Sequence, residues 1–459
     1  MMRILKINPR SLTSHRWSIV IGNLLEHFDS SLYGFLAPCV GKAFFPSYSP
    51  LYQLILTYGV YIITFVARPL GGLFFSHLTY RYGPLKALSW SLVGLALPTG
   101  LLGFIPSAHQ IGILAPCLLI LIRFAQSFCA AGESAIAGYY LIEDTSQSKQ
   151  ISWSGIYQSS TILGILMASS LSGLIFAYSQ NEDLWRFAFL LGFILGLSGL
   201  WLRFPFQKKE IQGLSFETFP GDERTFSRLR THWKLILFLV PVYGFSYLTY
   251  SVPFIFLNPY LEQITPISLA TLLYQTSSLL WIDALLLPGV AFFTQRFSSV
   301  KTLLGSSLLF AAGASTLLIS LPYGSLLMIF LLRLMMVIGG VGFTVALLPW
   351  TTRLYPPRDK YLLHSVSYNL GTELFGRSSP AICLWLYAVT QHPSSPLIYI
   401  LALTLTSLSL IIWFEVSQRP RNRGVCAKPR GICQGRFKSA EFEKKYEASY
   451  QLSRCNTWR

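Results

Sequence analysis

Apolar residues along this chain gather into long blocks separated by short polar stretches. A helix rises about 1.5 Å per residue, so about 20 mostly apolar residues cross the hydrocarbon core of a bilayer. Twelve blocks meet that requirement: 17–39, 52–75, 87–106, 113–142, 154–177, 186–206, 233–256, 268–293, 302–321, 324–349, 364–388 and 395–415. The pattern predicts an all-α integral membrane protein with twelve transmembrane helices. The longest internal polar connection, 207–232, contains Pro220-Gly221 and separates six blocks from six. It predicts an N-terminal six-helix bundle over 1–206, a cytoplasmic inter-bundle loop over 207–232, a C-terminal six-helix bundle over 233–415 and a basic cytoplasmic tail over 416–459. Two such halves fit a duplicated transporter with its pseudo-twofold axis along the membrane normal. A weak internal echo supports this, since block two ends in Arg68-Pro69-Leu70-Gly71-Gly72 and block eight carries Leu287-Pro288-Gly289.

Charge placement tests the count of blocks. With the N-terminus in the cytoplasm, the inner connections and termini hold 28 of the Lys and Arg residues, 11 of them in the tail, and the outer connections hold only Lys42. A missing or extra block in the middle would destroy that asymmetry, which is the positive-inside pattern. Both termini are therefore expected in the cytoplasm and the protein in a bacterial inner membrane. The basic start leads into a block containing Glu26 and Asp29, which reads as a retained first helix and not as a cleaved leader.

Composition agrees. Of 459 residues, 52% are hydrophobic and only 12% charged, where soluble chains carry about a quarter. The net charge of +17 sits in loops and tail, so it marks lipid-facing loops and no nucleic-acid partner is expected. The tail reads as an electrostatic hold on anionic lipid or, in a sensor that no longer transports, as a signalling segment. No G-x-x-x-x-G-K-[ST] pattern occurs, so an ATP-driven pump is not expected. The seven cysteines have no metal-ligand spacing, and neither a disulfide framework, a metal site nor a cofactor is expected.

The chemistry lies in charges placed inside the blocks. Each costs about 2.5–3.5 kcal/mol on insertion scales, so each needs a reason to be there. The acids are Glu26, Asp29, Glu133, Asp283 and Glu373; the bases are Arg68, Arg123, Arg333 and Arg377. Asn23, Glu26, Asp29 and Tyr33 fall on one helix face, suited to binding a proton or a cationic group, or to holding the helix against a neighbouring arginine. Arg123, Gln126, Ala130, Glu133 and Ala137, spaced 3, 4, 3 and 4, form a second face that reads as a wall of a polar cavity or as an internal Arg–Glu lock. Gly132, Ser134 and Gly138 let another helix approach closely. Glu373 and Arg377, one turn apart, read first as a structural pair. Arg333 and Asp283 are each solitary in their block, open between a cavity role and a cross-helix partner. Tyr243, Tyr247 and Tyr250 are suited to stacking on a substrate cation, although such spacing also serves packing.

Several stretches carry a family likeness. Gly22-Asn23-Leu24-Leu25-Glu26-His27-Phe28-Asp29 followed by Tyr33-Gly34-Phe35, Arg68-Pro69-Leu70-Gly71-Gly72, Arg123-Phe124-Ala125-Gln126-Ser127 with Gly132-Glu133, and Ser367-Tyr368-Asn369 with Phe375-Gly376 and Pro380 stand in order along the chain. Together they resemble the metabolite–proton symporter branch of the major facilitator superfamily, whose members carry proline and glycine betaine, 2-oxoglutarate, shikimate or citrate. The resemblance implies alternating access around a central cavity lined by helices one, four, seven and ten. The family's G-x-L-x-D-R-x-G-R loop after helix two survives only as Arg81 and Gly83, with Tyr80 at the acid position, Ser76 at the first glycine and Pro84 at the second arginine. After helix eight, Gln295 stands for the acid and Ser298-Ser299 for Gly-Arg. In the family those loops bracket the cytoplasmic gate through charge pairs, so their loss implies altered gating or relaxed selection. His27 replaces the usual tryptophan and Arg377 a glycine.

The expectation from these readings is a secondary active transporter and not an enzyme. It would be a functional monomer that couples a small organic acid, amino acid or betaine-like osmolyte to protons. Asn23, Glu26, Asp29, Arg123, Gln126, Glu133 and Arg333 are the candidate substrate and proton residues. Arg68, Gly72, Arg81, Gly83, Glu373 and Arg377 are the candidate gate and structural residues. An uncoupled exchanger or facilitator, or a solute sensor that no longer transports, remains the alternative.

Overall fold

The computed structural model describes residues 9–143, 145, 147–178, 183–213, 225–320, 325–356 and 359–422. Within these residues the chain is helical, and its helices combine into twelve spans. Spans three to six are Pro84–Phe104, Leu114–Glu143, Gln147–Tyr178 and Trp185–Gly213; spans eight to ten are Leu269–Thr294, Ser299–Ser320 and Leu326–Thr351; span twelve is Pro396–Asn422. The other four spans are interrupted. Span one bends between Pro9–Phe35 and Ala37–Phe44, and span two joins Pro50–Gly59 to Thr64–Tyr82 through the 3₁₀ turn Val60–Ile63. Span seven passes through a π-helical turn, Val252–Phe256, between Trp233–Ser251 and Leu257–Ile264. Span eleven does so at Thr372–Arg377, between Lys360–Gly371 and Ser379–Thr390.

The interruptions have a local cause. In lipid every backbone group needs a partner, so a break survives only where protein covers it. Wide turns of this kind leave carbonyls free for side chains, and they recur at functional sites. Among the described residues, nine spans are long and apolar enough to cross a membrane by length and hydropathy alone. The three that fall short are one, two and eleven, which carry Glu26 and Asp29, Arg68, and Glu373 and Arg377. Those three spans are also interrupted, and span seven is the one apolar span that shares the irregular backbone.

Spans one to six and seven to twelve form two six-helix bundles, which meet along spans two and eleven, four and eleven, five and eight, and five and ten. Glycines set the closest approaches. A Cβ on Gly72 of span two would lie 2.6 Å from both Asn369 Nδ2 and Ser365 Oγ of span eleven. A Cβ on Gly155 of span five would lie 2.8 Å from the Leu287 carbonyl of span eight. Gly83 ends span two with φ at 91°, a conformation an L side chain rarely adopts. Of the expected inter-bundle loop, residues 214–224 lie outside the described residues, as do 423–459 of the expected tail. A short helix, Thr225–Thr231, leads from the loop into span seven.

Candidate functional site

The four residues that share a face of span one turn to partners on spans two, three, four and five. Asn23 Nδ2 donates to Ser160 Oγ at 2.9 Å and Thr161 Oγ1 at 2.8 Å, fastening span one to span five. The Tyr33 hydroxyl donates to the Thr57 carbonyl of span two at 2.9 Å. Asp29 faces spans three and four. Its Oδ2 accepts from Thr99 Oγ1 at 2.7 Å and from Gln126 Nε2 at 2.8 Å, while Oδ1 has no hydrogen-bond partner among the described residues. Arg123 donates to the Gln126 carbonyl oxygen, and its guanidinium lies 4.1 Å from the Tyr33 ring centroid. Arg123 thus reaches Asp29 through Gln126, in a relay of guanidinium, amide and carboxylate. Thr99 was not a sequence candidate; its only signal was a hydroxyl following Pro98 in an apolar span.

Glu26 meets span two. Its Oε1 lies 3.8 Å from Arg68 Nη2 and accepts from Ser30 Oγ at 3.2 Å, and its Oε2 lies 2.6 Å from His27 Nδ1. Arg68 Nε lies 3.7 Å from Glu373 Oε1, across the boundary between the bundles. The same Glu373 oxygen lies 2.9 Å from Arg377 Nε, and Oε2 accepts from Thr64 Oγ1 at 3.1 Å. Arg377 sits 5.1 Å from the Tyr247 ring centroid. Glu26, Arg68, Glu373 and Arg377 therefore form a line of alternating charge, drawn from spans one, two and eleven, that joins the bundles. Glu26 and Glu373 are each 1% exposed. Glu373 and Arg377 do pair on their own helix, as their spacing predicts, but Glu373 also serves Arg68. The π turn that holds both is what the spacing could not reveal.

Glu133 stands apart from this line. Arg203 of span six holds it, with Nη1 donating at 2.8 Å to Glu133 Oε2 and at 2.9 Å to the Leu88 carbonyl, and Nη2 closing a second contact. Ser91 Oγ donates to the same carboxylate at 3.3 Å. Both charges are fully buried. A Cβ on Gly22 would lie 1.8 Å from Arg203 Nη2, so the glycine before Asn23 leaves room for the pair. Sequence reasoning missed Arg203, which near the end of its span reads as a snorkelling side chain. Arg333 is also fully buried and lies among spans seven, eight and ten. Its Nη2 donates to the Pro253 carbonyl in the π turn at 2.7 Å, to Asn258 Oδ1 at 3.0 Å and to Thr276 Oγ1 at 2.6 Å. It joins none of the clusters above.

The bundle boundary is closed at the end where span two finishes and span eleven begins. Tyr80, at the acid position of the family loop, accepts from the Leu362 amide of span eleven at 3.3 Å. Its ring meets Tyr361, with centroids 6.2 Å apart. Glu143, at the end of span four, contacts both Lys360 and the Tyr361 hydroxyl. Tyr139 packs its ring on Tyr355, Tyr361 and His364. Asp359 lies 3.4 Å from both Arg228 and His232 beside the inter-bundle connection. Gln295 contacts Ser152 of span five. Aromatic rings and new polar contacts stand where the loop charges are missing. Arg81 is exposed over the ring of Tyr82.

A profile of the Major Facilitator Superfamily matches residues 19–257. A putative proline/betaine transporter of Staphylococcus haemolyticus is 30% identical over 412 residues, covering 86% of this chain and 86% of that protein. A glycine betaine/proline/ectoine/pipecolic acid transporter, OusA of Dickeya dadantii, is 27% identical and covers 84% of this chain and 80% of its own length. Among solved structures, the proton:xylose symporter XylE superposes with a TM-score of 0.70 at 16% identity, over 89% of this chain and 97% of XylE. The human organic anion transporter MFSD10 does so at 0.65 and 14% identity, over 87% of this chain and 99% of its own. At such identities the structural likeness establishes the fold.

Proposed function

The chain belongs to the Major Facilitator Superfamily and is a multi-pass membrane transporter of small solutes, and on that premise we propose that it is a proton-coupled symporter for a small zwitterion. The line Glu26–Arg68–Glu373–Arg377 carries the reading. Two carboxylates and two guanidiniums make it electrically neutral as a unit, and a buried site that is neutral accepts a neutral solute most cheaply. A solute of net charge would leave one charge uncompensated in a low dielectric. The Arg68 contacts of 3.8 and 3.7 Å exceed hydrogen-bond length. A zwitterion can therefore enter the line without breaking a formed hydrogen bond. Its carboxylate would face Arg68 and Arg377, and its cationic end Glu26 and Glu373, beside the Tyr247 ring. The relatives named for proline and betaines support this class over a dicarboxylic or tricarboxylic acid.

Asp29 is the proton site in this reading. While ionised it holds Thr99 and Gln126, and through Gln126 it restrains Arg123. A proton taken at the unpartnered Oδ1 weakens those charge-assisted bonds and frees Arg123 to meet solute, so proton and solute favour the same state. Rocking of the bundles then carries both across, with the termini on the cytoplasmic side by the distribution of basic residues.

The test is uptake of labelled proline and glycine betaine into proteoliposomes, with and without an inwardly directed proton gradient, for the native protein and Asp29→Asn. Accumulation that needs the gradient, with the variant keeping counterflow but losing accumulation, is the expected result. Uptake by the native protein that ignores the gradient overturns the coupling, and binding without flux overturns the transporter cycle.

A further inference from the structure

We propose that Asp283 is a second proton-binding site, in the C-terminal bundle, loaded while spans five and eight are packed together and discharged when that contact parts. The inference rests on the symport reading only for its place in a transport cycle; the site itself stands on geometry.

Asp283 lies on span eight, 7% exposed. Among the described residues no hydrogen bond or ion pair reaches its carboxyl, which sets it apart from Glu26, Asp29, Glu133 and Glu373. Span eight packs against span five, span ten and the latter part of span seven. Tyr250 of span seven packs against the same cluster, with its ring on Tyr247 and Phe254, and the other ionisable side chains on those elements are engaged elsewhere or remote. On span five, Tyr157 packs toward Gly138 of span four, and Lys149 is exposed near the helix start. On span ten, Arg333 bonds Thr276, which is two helical turns from Asp283 on span eight. On span seven, the Tyr260 hydroxyl donates to the Pro393 carbonyl and Glu262 is exposed. The surroundings are apolar: Leu279, Leu280, Ala284 and Leu287 of span eight cluster with Ile162 of span five and Val341 of span ten.

A carboxylate without a counter-charge or donor in such a wall is held most cheaply as the neutral acid. The wall is also a moving part. Spans five and eight belong to different bundles, and their seam runs from Ser152–Gln295, past Gly155–Leu287, to Ser159, whose Oγ donates to the Ala284 carbonyl at 2.7 Å. Asp283 immediately precedes that last contact. Any rocking of the bundles shears this seam and admits water beside the carboxyl, where the ionised form is solvated and the proton leaves. Loading is the transfer of one proton from water to a carboxylate oxygen through the small exposed part of the side chain in the packed state, and discharge is its reverse once the seam opens.

The experiment needs no solute. Purified full-length protein in liposomes is titrated from mildly acidic to mildly alkaline pH while the infrared carbonyl band of carboxylic acids is followed, for the native protein, Asp283→Asn and Asp283→Glu. A band present in the native protein, absent from Asp283→Asn, restored in shifted form by Asp283→Glu and lost on alkalinisation is the expected result. A short thiol cross-linker between Ser152→Cys and Gln295→Cys, in a background free of other cysteines, should hold the seam shut and preserve the band at alkaline pH. A native spectrum indistinguishable from that of Asp283→Asn at every pH overturns the site. Loss of the band at the same pH with and without the cross-link overturns its tie to the moving seam. Failure of solute uptake leaves both readouts intact, so the two proposals fail separately.

Discussion

Replacing Arg203 with methionine should cost about 3–5 kcal/mol of stability, because it strands a carboxylate with no solvent exposure. The Arg203 guanidinium bonds Glu133 through both terminal nitrogens and also satisfies the Leu88 carbonyl, whose loss adds about 1 kcal/mol. Glu133→Gln alone should cost a similar amount by stranding the cation. The pair Glu133→Gln with Arg203→Met removes both charges and should cost far less than the sum, leaving a coupling of about 2–4 kcal/mol of opposite sign. Gly22→Ala should mimic the single substitutions, since its Cβ would stand 1.8 Å from Arg203 Nη2. Unfolding free energies from denaturing-detergent titration in mixed micelles, followed by circular dichroism, measure all four variants. An Arg203→Met cost under about 1 kcal/mol, or strict additivity in the double variant, would refute the buried-pair argument. Transport adds an independent check. Glu133 is paired with Arg203 and, among the described residues, makes no ion pair with the alternating line, so the double variant should keep gradient-driven uptake. Its loss in a stably folded double variant would return Glu133 to the transport chemistry.

Two further outcomes follow from the closed end of the bundle boundary. Gly72→Leu should jam the approach of span two to span eleven, where a Cβ already meets Asn369 and Ser365 at 2.6 Å; a cysteine placed at Ser367 should then label faster with a hydrophilic thiol reagent, and an unchanged rate would contradict it. Glu143→Gln combined with Tyr361→Phe should loosen the same closure and raise labelling of that cysteine several-fold, whereas Arg81→Gln, an exposed side chain over Tyr82, should leave it unchanged.

The number of spans and the division into halves were legible in the chain because lipid imposes them directly. A helix must be long and apolar enough to cross, and basic residues must stay on one side, whatever the helices pack against. The same constraint marked the intramembrane charges as significant, since each is too costly to be incidental. Their partners were not legible. Glu26, Asp29 and Asn23 share one helical face, yet adjacent turns of that face meet spans two, three to four, and five, because several helices pack around the first and the angle between side chains chooses among them. Glu133, on the same stripe as Arg123 and Gln126, is taken by an arginine 70 residues away instead. Glu373 and Arg377 were readable as neighbours, but only the meeting of spans two and eleven gave Glu373 its second arginine. The loop after span two kept few of the family's charges, while the closed end is built from Tyr80, Tyr139, Glu143 and Tyr361 on elements that the chain order separates widely. Local periodicity determines what a helix is and which face is polar. Long-range packing alone decides which polar face meets which, because side-chain pairing energies depend on distances that no spacing along the chain encodes.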